Sequence, residues 1–245
     1  FTFECFVWQV LTPHTSCREV VQHAQTLLRL HGRGLIDPDD SAYIQARHRL
    51  PRERLEQALS ATAPASEQRA QSEGQFQGRP VKGVDASSVQ LPDTPKNQQR
   101  YPQSAVQKKG CGFPVLKFMV LFSLCSGAVL DVVFGNLHSH DLRLLRKLWD
   151  AFKRGDILLG DRAFGEYTTL AALPRWRGVD VVARLHQARK VDFRKSQRLA
   201  KHDGLFVWTK TWQQSQILSA SEWGLLPAQI TVRIIRFTAT IRGYR

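Results

Sequence analysis

Cysteine is scarce and dispersed in this chain: Cys5, Cys17, Cys111 and Cys125 are the only four, and no two form a C-x-x-C pair. That spacing argues against a zinc knuckle and a disulfide-stapled scaffold, so reduced thiols in a cytoplasmic protein are the simplest expectation. Long apolar runs are missing as well. No stretch reaches the length of a bilayer-spanning helix, and no secretory leader is recognisable. The third shortage is acid: 21 Asp and Glu stand against 35 Lys and Arg, a formal net charge of +14. Such an excess points to a polyanionic partner, nucleic acid before others, because phosphate neutralisation supplies affinity independent of sequence. A basic protein that is merely soluble, or one drawn to anionic membranes, is the alternative.

What is present is ordinary globular material. With 245 residues, 42% hydrophobic and 23% charged, the chain can hold one large domain or two smaller ones. It begins at Phe1 rather than Met and ends at Arg245 just after a strand-like run, as a piece of a longer protein would.

Ser16-Cys17-Arg18-Glu19 is a capping box, with Val20, Val21, Ala24, Leu27 and Leu28 following at helical spacing. Short helices are expected over Ser41 to His48 and from Pro51, giving an N-terminal helical subdomain over residues 1–60. Its arginines suit either a small DNA-contacting bundle or a plain helical subdomain with solvated charges, and no helix-turn-helix signature decides between them. Residues 61–80, rich in Ala, Ser, Gln, Glu and Gly, read as a linker or exposed loop.

Val81 to Leu91 reads as a strand with Asp85 in its interior, where a charge is costly unless paired or bound to a cation. Pro92 to Gly112 reads as a long loop, Phe113 to Leu124 and Ala128 to Phe134 as a hairpin, and Leu142 to Phe152 as a helix. Ile157-Leu158-Leu159 has the pattern of a strand buried on both faces, followed by Asp161 in a turn and by a helix from Tyr167 that stops at Pro174. Val179 to Ala183 is a further buried strand. Asp161 thus sits at the carboxyl end of a strand, where open α/β sheets bind ligands, although a helix cap or a turn is the commoner role for such an Asp.

The resulting order is strand, strand, strand, helix, strand, helix, strand. In a ribonuclease-H-like mixed α/β sheet the first strand lies beside the strand after the first helix, making Asp85 and Asp161 neighbours. Two adjacent carboxylates repel unless divalent cations hold them, and oxygen ligands select Mg²⁺ or Mn²⁺. Two such ions about 4 Å apart would serve a phosphodiester cleavage.

From Arg184 the texture turns basic, with His186, Arg189, Lys190 and Arg194. Leu205 to Trp208, Gln216 to Leu218 and Ile230 to Ile241 then read as strands, with a bulge near Ile234 and Ile235. Trp208, Trp212 and Trp223 are interleaved, either as stacking platforms for bases or as packing residues. His138 and His140 lack further ligands at fitting spacing, and Asp131, Asp141 and Asp156 suit the starts or flanks of elements.

The blocks Asp85-Ala86-Ser87-Ser88, Leu91-Pro92-Asp93-Thr94-Pro95, Tyr101-Pro102-Gln103, Gly110-Cys111-Gly112-Phe113-Pro114, Gly160-Asp161-Arg162-Ala163-Phe164 and Arg184-Leu185-His186-Gln187 together resemble bacterial insertion-sequence transposases of the DDE type. The resemblance is to the branch with a β-strand insertion in the catalytic domain. It implies a ribonuclease-H-like core over residues 81–185, a basic, β-rich insertion over 186–245, and Mg²⁺-dependent hydrolysis and strand transfer at element ends. Asp85 and Asp161 match the first two metal-binding carboxylates, with Phe164 and Tyr167 beside the second. Arg162, Arg184, His186, Arg189, Lys190 and Arg194 are the expected DNA contacts. Double-stranded DNA is the implied partner, a homodimer is a candidate assembly, and a bacterial cytoplasmic location without membrane association follows. Ala86 departs from the Gly usual after the first Asp. The third carboxylate, a Glu on a helix after the insertion, has no match: Gly243-Tyr244-Arg245 does not fit, and neither Glu166 nor Glu222 stands at the expected place. The resemblance therefore implies a chain cut off before that Glu. A catalytically inactive DNA-binding derivative and a structure-specific nuclease with the same core are the competing readings.

Overall fold

The computed structural model describes residues 1–70 and 75–239, which divide into two compact units, Phe1–Ala61 and residues from Thr62 onward. The first unit is helical: α1 (Thr2–Leu11), α2 (Cys17–Leu30), α3 (Ser41–His48) and the beginning of α4 (Arg52–Arg69). At α2 the capping box forms as expected, Ser16 N donating to Glu19 Oε2 at 2.7 Å and Glu19 N to Ser16 Oγ at 3.3 Å. Val20, Val21 and Tyr43 make a small core joined by Cys5, Trp8 and Ile36, and His23 stacks flat on Trp8 at 3.9 Å. Helix α1 carries no signal in the sequence because its apolar residues run all round it, leaving no 3.6-residue period to read.

Residues 61–69, expected as linker, are instead the last turns of α4. Ala, Glu, Gln and Arg are strong helix formers, and they outweigh Pro64, which removes one backbone donor from the helix.

The second unit is built on a five-stranded sheet: β1 (Val81–Gln90), β2 (Val115–Ser123), β3 (Val129–Asn136), β4 (Ile157–Gly160) and β5 (Asp180–Ala183). Their order is β3-β2-β1-β4-β5. The first three are antiparallel neighbours, whereas β1-β4 and β4-β5 are parallel. This is the ribonuclease-H-like mixed sheet. It follows from the two hairpin-type connections, then the crossovers through α6 (Asp141–Leu148) and α7 (Tyr167–Arg177). Both helices bury one sheet face, with Met119, Leu121, Leu144, Leu148, Leu158 and Leu173 at or near zero exposure.

Helix α7 does not stop at Pro174. It continues to Arg177 and ends on Gly178 in the left-handed conformation (φ 66°), which lets Trp176 pack edge-on against Trp149 at 5.9 Å. The segment Pro92 to Gly112 is more ordered than a bare loop: α5 (Pro95–Arg100) is capped by Thr94. Gln103 then ties the rest, its Oε1 accepting from Gly110 N and Gly112 N and its Nε2 donating to the Gln107 and Lys108 carbonyls.

A second sheet, β6 (Gln197–Ala200), β7 (Asp203–Thr209) and β8 (Gln229–Ile235), is antiparallel in that order. The expected strand over Gln216 to Leu218 is absent. Those residues form a turn that drops Leu218 into the core before α8 (Ala220–Leu225). The last strand ends at Ile235 rather than Ile241, and Ile241 lies outside the described residues. No bulge occurs at Ile234 and Ile235, which pair regularly with Gly204 and Asp203; the irregularity is on β6, between Arg198 and Ala200. The insertion shares the core of the large sheet: Leu218 and Leu226 are buried in it, with Trp208, Trp223 and Ile230 packed alongside. No helix among the described residues is long and apolar enough to cross a membrane.

Candidate active site

The parallel pairing of β1 with β4 runs Val81 to Ile157, Lys82 to Leu158 and Gly83 to Leu159. Continued by two residues, that register sets Asp85 level with Asp161, on strands about 4.8 Å apart. The pairing of β4 with β5 joins Gly160 to Ala183, and one more step sets Asp161 level with Arg184. On that continued register, Asp85 in β1 and the residues just past the ends of β4 and β5, Asp161 and Arg184, fall at one level of the sheet.

The face on which Asp85 lies follows from alternation. Val84 is buried beneath the helices and Ala86 packs against the same core, so Asp85 points to the opposite face. That face is open and apolar around it: Leu159, Val182 and Phe134 are all partly exposed large side chains there. Asp85 and Asp161 are both exposed.

Each carboxylate is held by one oxygen and free at the other. Asp85 Oδ1 accepts from the Ala86 N–H at 2.9 Å and Asp161 Oδ1 from the Ala163 N–H at 2.8 Å. Neither makes an ion pair among the described residues, in a protein with 35 Lys and Arg. Unpaired, solvent-facing carboxylate oxygens, each side chain oriented by one hydrogen bond, are of the type that ligates a hard divalent cation such as Mg²⁺ or Mn²⁺. No third His, Cys, Asp or Glu joins them in a metal-holding group among the described residues. Glu166 is committed as the N-cap of α7, accepting from Thr168 N and Thr169 N. Glu222 is committed to the capping box of α8 and to Arg146 at 2.8 Å; the Ser219 backbone N–H and then Arg146 hold its carboxyl below the usual range.

The turn carrying Asp161 is set by packing. Gly160 leaves no room for a side chain, since an added Cβ would lie 2.9 Å from the Phe164 ring. Phe164 is buried, and its N–H bonds back to the Asp161 carbonyl at 3.2 Å. Tyr167 does not face the carboxylates: its hydroxyl donates to the Pro227 carbonyl at 2.6 Å and its ring meets Trp223 edge-on, so it bolts the insertion to α7. Burial raises its phenol pKa.

The expected DNA contacts separate into two groups. Arg162 donates to Gln187 Oε1 at 2.6 Å, and Arg194 is engaged by Asp192 through Nε and Nη2. Arg184, His186, Arg189 and Lys190 are exposed, and none makes an ion pair among the described residues. His186 Nδ1 instead shapes the turn by accepting from Ala188 N. Of the three tryptophans, Trp208 and Trp223 pack against the core, whereas Trp212 is 95% exposed. His140 caps α6 through Nδ1.

The transposase DDE domain family matches residues 77–236, well over half of the sequence. The chain belongs to that family. The match begins just before β1 and runs to the end of β8, so it spans both sheets and both carboxylates. None of the curated proteins matches the chain. Among solved structures, the Mos1 transposase paired-end complex with left transposon end aligns at 11% identity and a TM-score of 0.28. That alignment covers 77% of this chain and 59% of the other.

Proposed function

We propose that this transposase chain acts on DNA by metal-dependent phosphodiester hydrolysis and strand transfer at the ends of an insertion element. The observation that supports the reading is the parallel register of β1 with β4 and of β4 with β5, which when continued brings Asp85, Asp161 and Arg184 to one level. Asp85 and Asp161 would hold a Mg²⁺ or Mn²⁺ ion, which would supply positive charge against the reacting phosphodiester. In this reading Arg184, at the same level, would neutralise a non-bridging oxygen of the same phosphate. Arg162, fixed by Gln187, borders this position, and the exposed His186, Arg189 and Lys190 extend positive charge away from it. The open apolar face around Asp85 suits an element laid over it that brings the third carboxylate of the family pattern.

The test is Mg²⁺-dependent nicking of element-end DNA by a protein that includes such a third carboxylate. Asp85→Asn or Asp161→Asn each abolishes nicking while leaving duplex binding intact; nicking unaffected by either substitution defeats the proposal. A second reading, an inactive DNA-binding derivative, is favoured by one observation, the lack of a third ligand among the described residues. It predicts no nicking at all with duplex binding preserved.

A further inference from the structure

The segment joining β5 to β6 lies across one face of the small sheet, and aromatic rings hold it there. Phe206 and Trp208 are two residues apart on β7, hence on the same face and about 7 Å apart. Arg189 lies over Trp208 with its guanidinium carbon 3.8 Å from the ring centroid. Phe193 meets Phe206 edge-on at 5.7 Å and His202 at 6.0 Å, and Arg236, just past β8, lies over Phe193 at 5.3 Å. Trp208 is itself packed against the hydrophobic core, so the seat under Arg189 is rigid.

A guanidinium laid on a ring keeps its N–H groups directed outward in its own plane, where they can meet an oxyanion. Both arginines are exposed, and neither side chain makes an ion pair or hydrogen bond among the described residues. Other arginines of the insertion differ. Arg194 is engaged by Asp192 through two nitrogens, and Arg233 by Asp203 in the same way. Charge alone does not distinguish these four residues; seating does.

We propose that Arg189 and Arg236 form a ring-seated pair of guanidinium groups that grips the phosphate backbone of duplex DNA on the β insertion. This rests on the DNA reading above and names where the insertion touches the duplex. Pre-seating lowers the ordering cost of each contact, because the side chain is fixed before DNA arrives. The contacts are to phosphate, so they carry position and affinity rather than base sequence.

The experiment is equilibrium binding of the full chain to a fluorescent duplex across a salt series. Arg189→Gln and Arg236→Gln each lower the slope of log affinity against log salt by about 0.9, which is about eightfold in affinity at 0.1 M salt. Arg194→Gln and Arg233→Gln remove the same unit of charge and leave the slope within about 0.3 of the parent. Arg189→Lys keeps the slope and loses part of the affinity, since a point charge replaces the fork. Thermal midpoints show whether each variant is folded. Equal effects of all four Gln variants, or none from Arg189→Gln and Arg236→Gln, overturn the clamp while duplex binding stands. Failure of the parent chain to bind duplex at 50 mM salt overturns the clamp and the DNA reading together.

Discussion

At the scale of single residues, a buried ion pair and a crowded glycine carry consequences that a surface charge does not. Lys82 Nζ meets Asp156 Oδ2 at 2.5 Å, with side chains 6% and 3% exposed; Asp156 Oδ2 also accepts from Lys153 N. Removing one partner leaves an unpaired charge in the core, so Lys82→Met is expected to cost about 3–5 kcal/mol in chemical denaturation, and Lys82→Met with Asp156→Leu far less than that. A double variant no better than the single would mean the pair is not coupled. Gly160 is the second feature. Gly160→Ala must displace Phe164 and with it the turn that fixes Asp161, costing about 1–3 kcal/mol and weakening Mn²⁺ binding more than an equally destabilising change elsewhere in the core. Unchanged metal affinity in Gly160→Ala would separate the turn from the site.

At the scale of elements, the insertion is joined to the large sheet by few polar links, and these are testable. Tyr167→Phe deletes the hydrogen bond to Pro227 and is expected to cost about 1 kcal/mol, read in the thermal midpoint. Glu222 is a carboxylate with a depressed pKa, so its contribution is present above its unfolded pKa and is lost as pH falls through the lower, folded one. The thermal midpoint of the parent should therefore drop below the ordinary carboxylate range more steeply than that of Glu222→Gln; parallel pH profiles would show that the cap and the Arg146 bridge contribute nothing. The elements also show what the sequence makes legible. The order of three strands, helix, strand, helix, strand suffices to place β1 beside β4, because hairpin and crossover rules leave few alternatives. Capping boxes and buried strands are equally readable, since their signals are local. Helix α1, the run of α4 through Pro64 and of α7 through Pro174, and the turn at Gln216 to Leu218 are not, because packing overrides local preference there. The caps made by Glu166 and Glu222 are local, within three residues of each, whereas the bridge from Glu222 to Arg146 and the seating of Arg189 on Trp208 join segments apart in the chain and leave no mark in spacing.

At the scale of the whole molecule, a net charge of +14 predicts duplex affinity that falls steeply with salt, and its distribution decides where. Several arginines spend their charge internally, so the count of basic residues overstates the number of phosphate contacts. The pairing of β1 with β4, on which the proposed alignment of Asp85 with Asp161 rests, is legible from strand order, but the open face around Asp85 is not, since it depends on which side the helices take. The proposed site requires that these two carboxylates hold one ion jointly. A Mn²⁺ titration of the folded chain, followed by electron paramagnetic resonance in a double-mutant cycle, tests it most directly. Shared ligation predicts that Asp85→Asn and Asp161→Asn each remove most of the binding and that the double substitution removes hardly more. Independent, additive losses, or Mn²⁺ affinity that neither substitution changes, would contradict it.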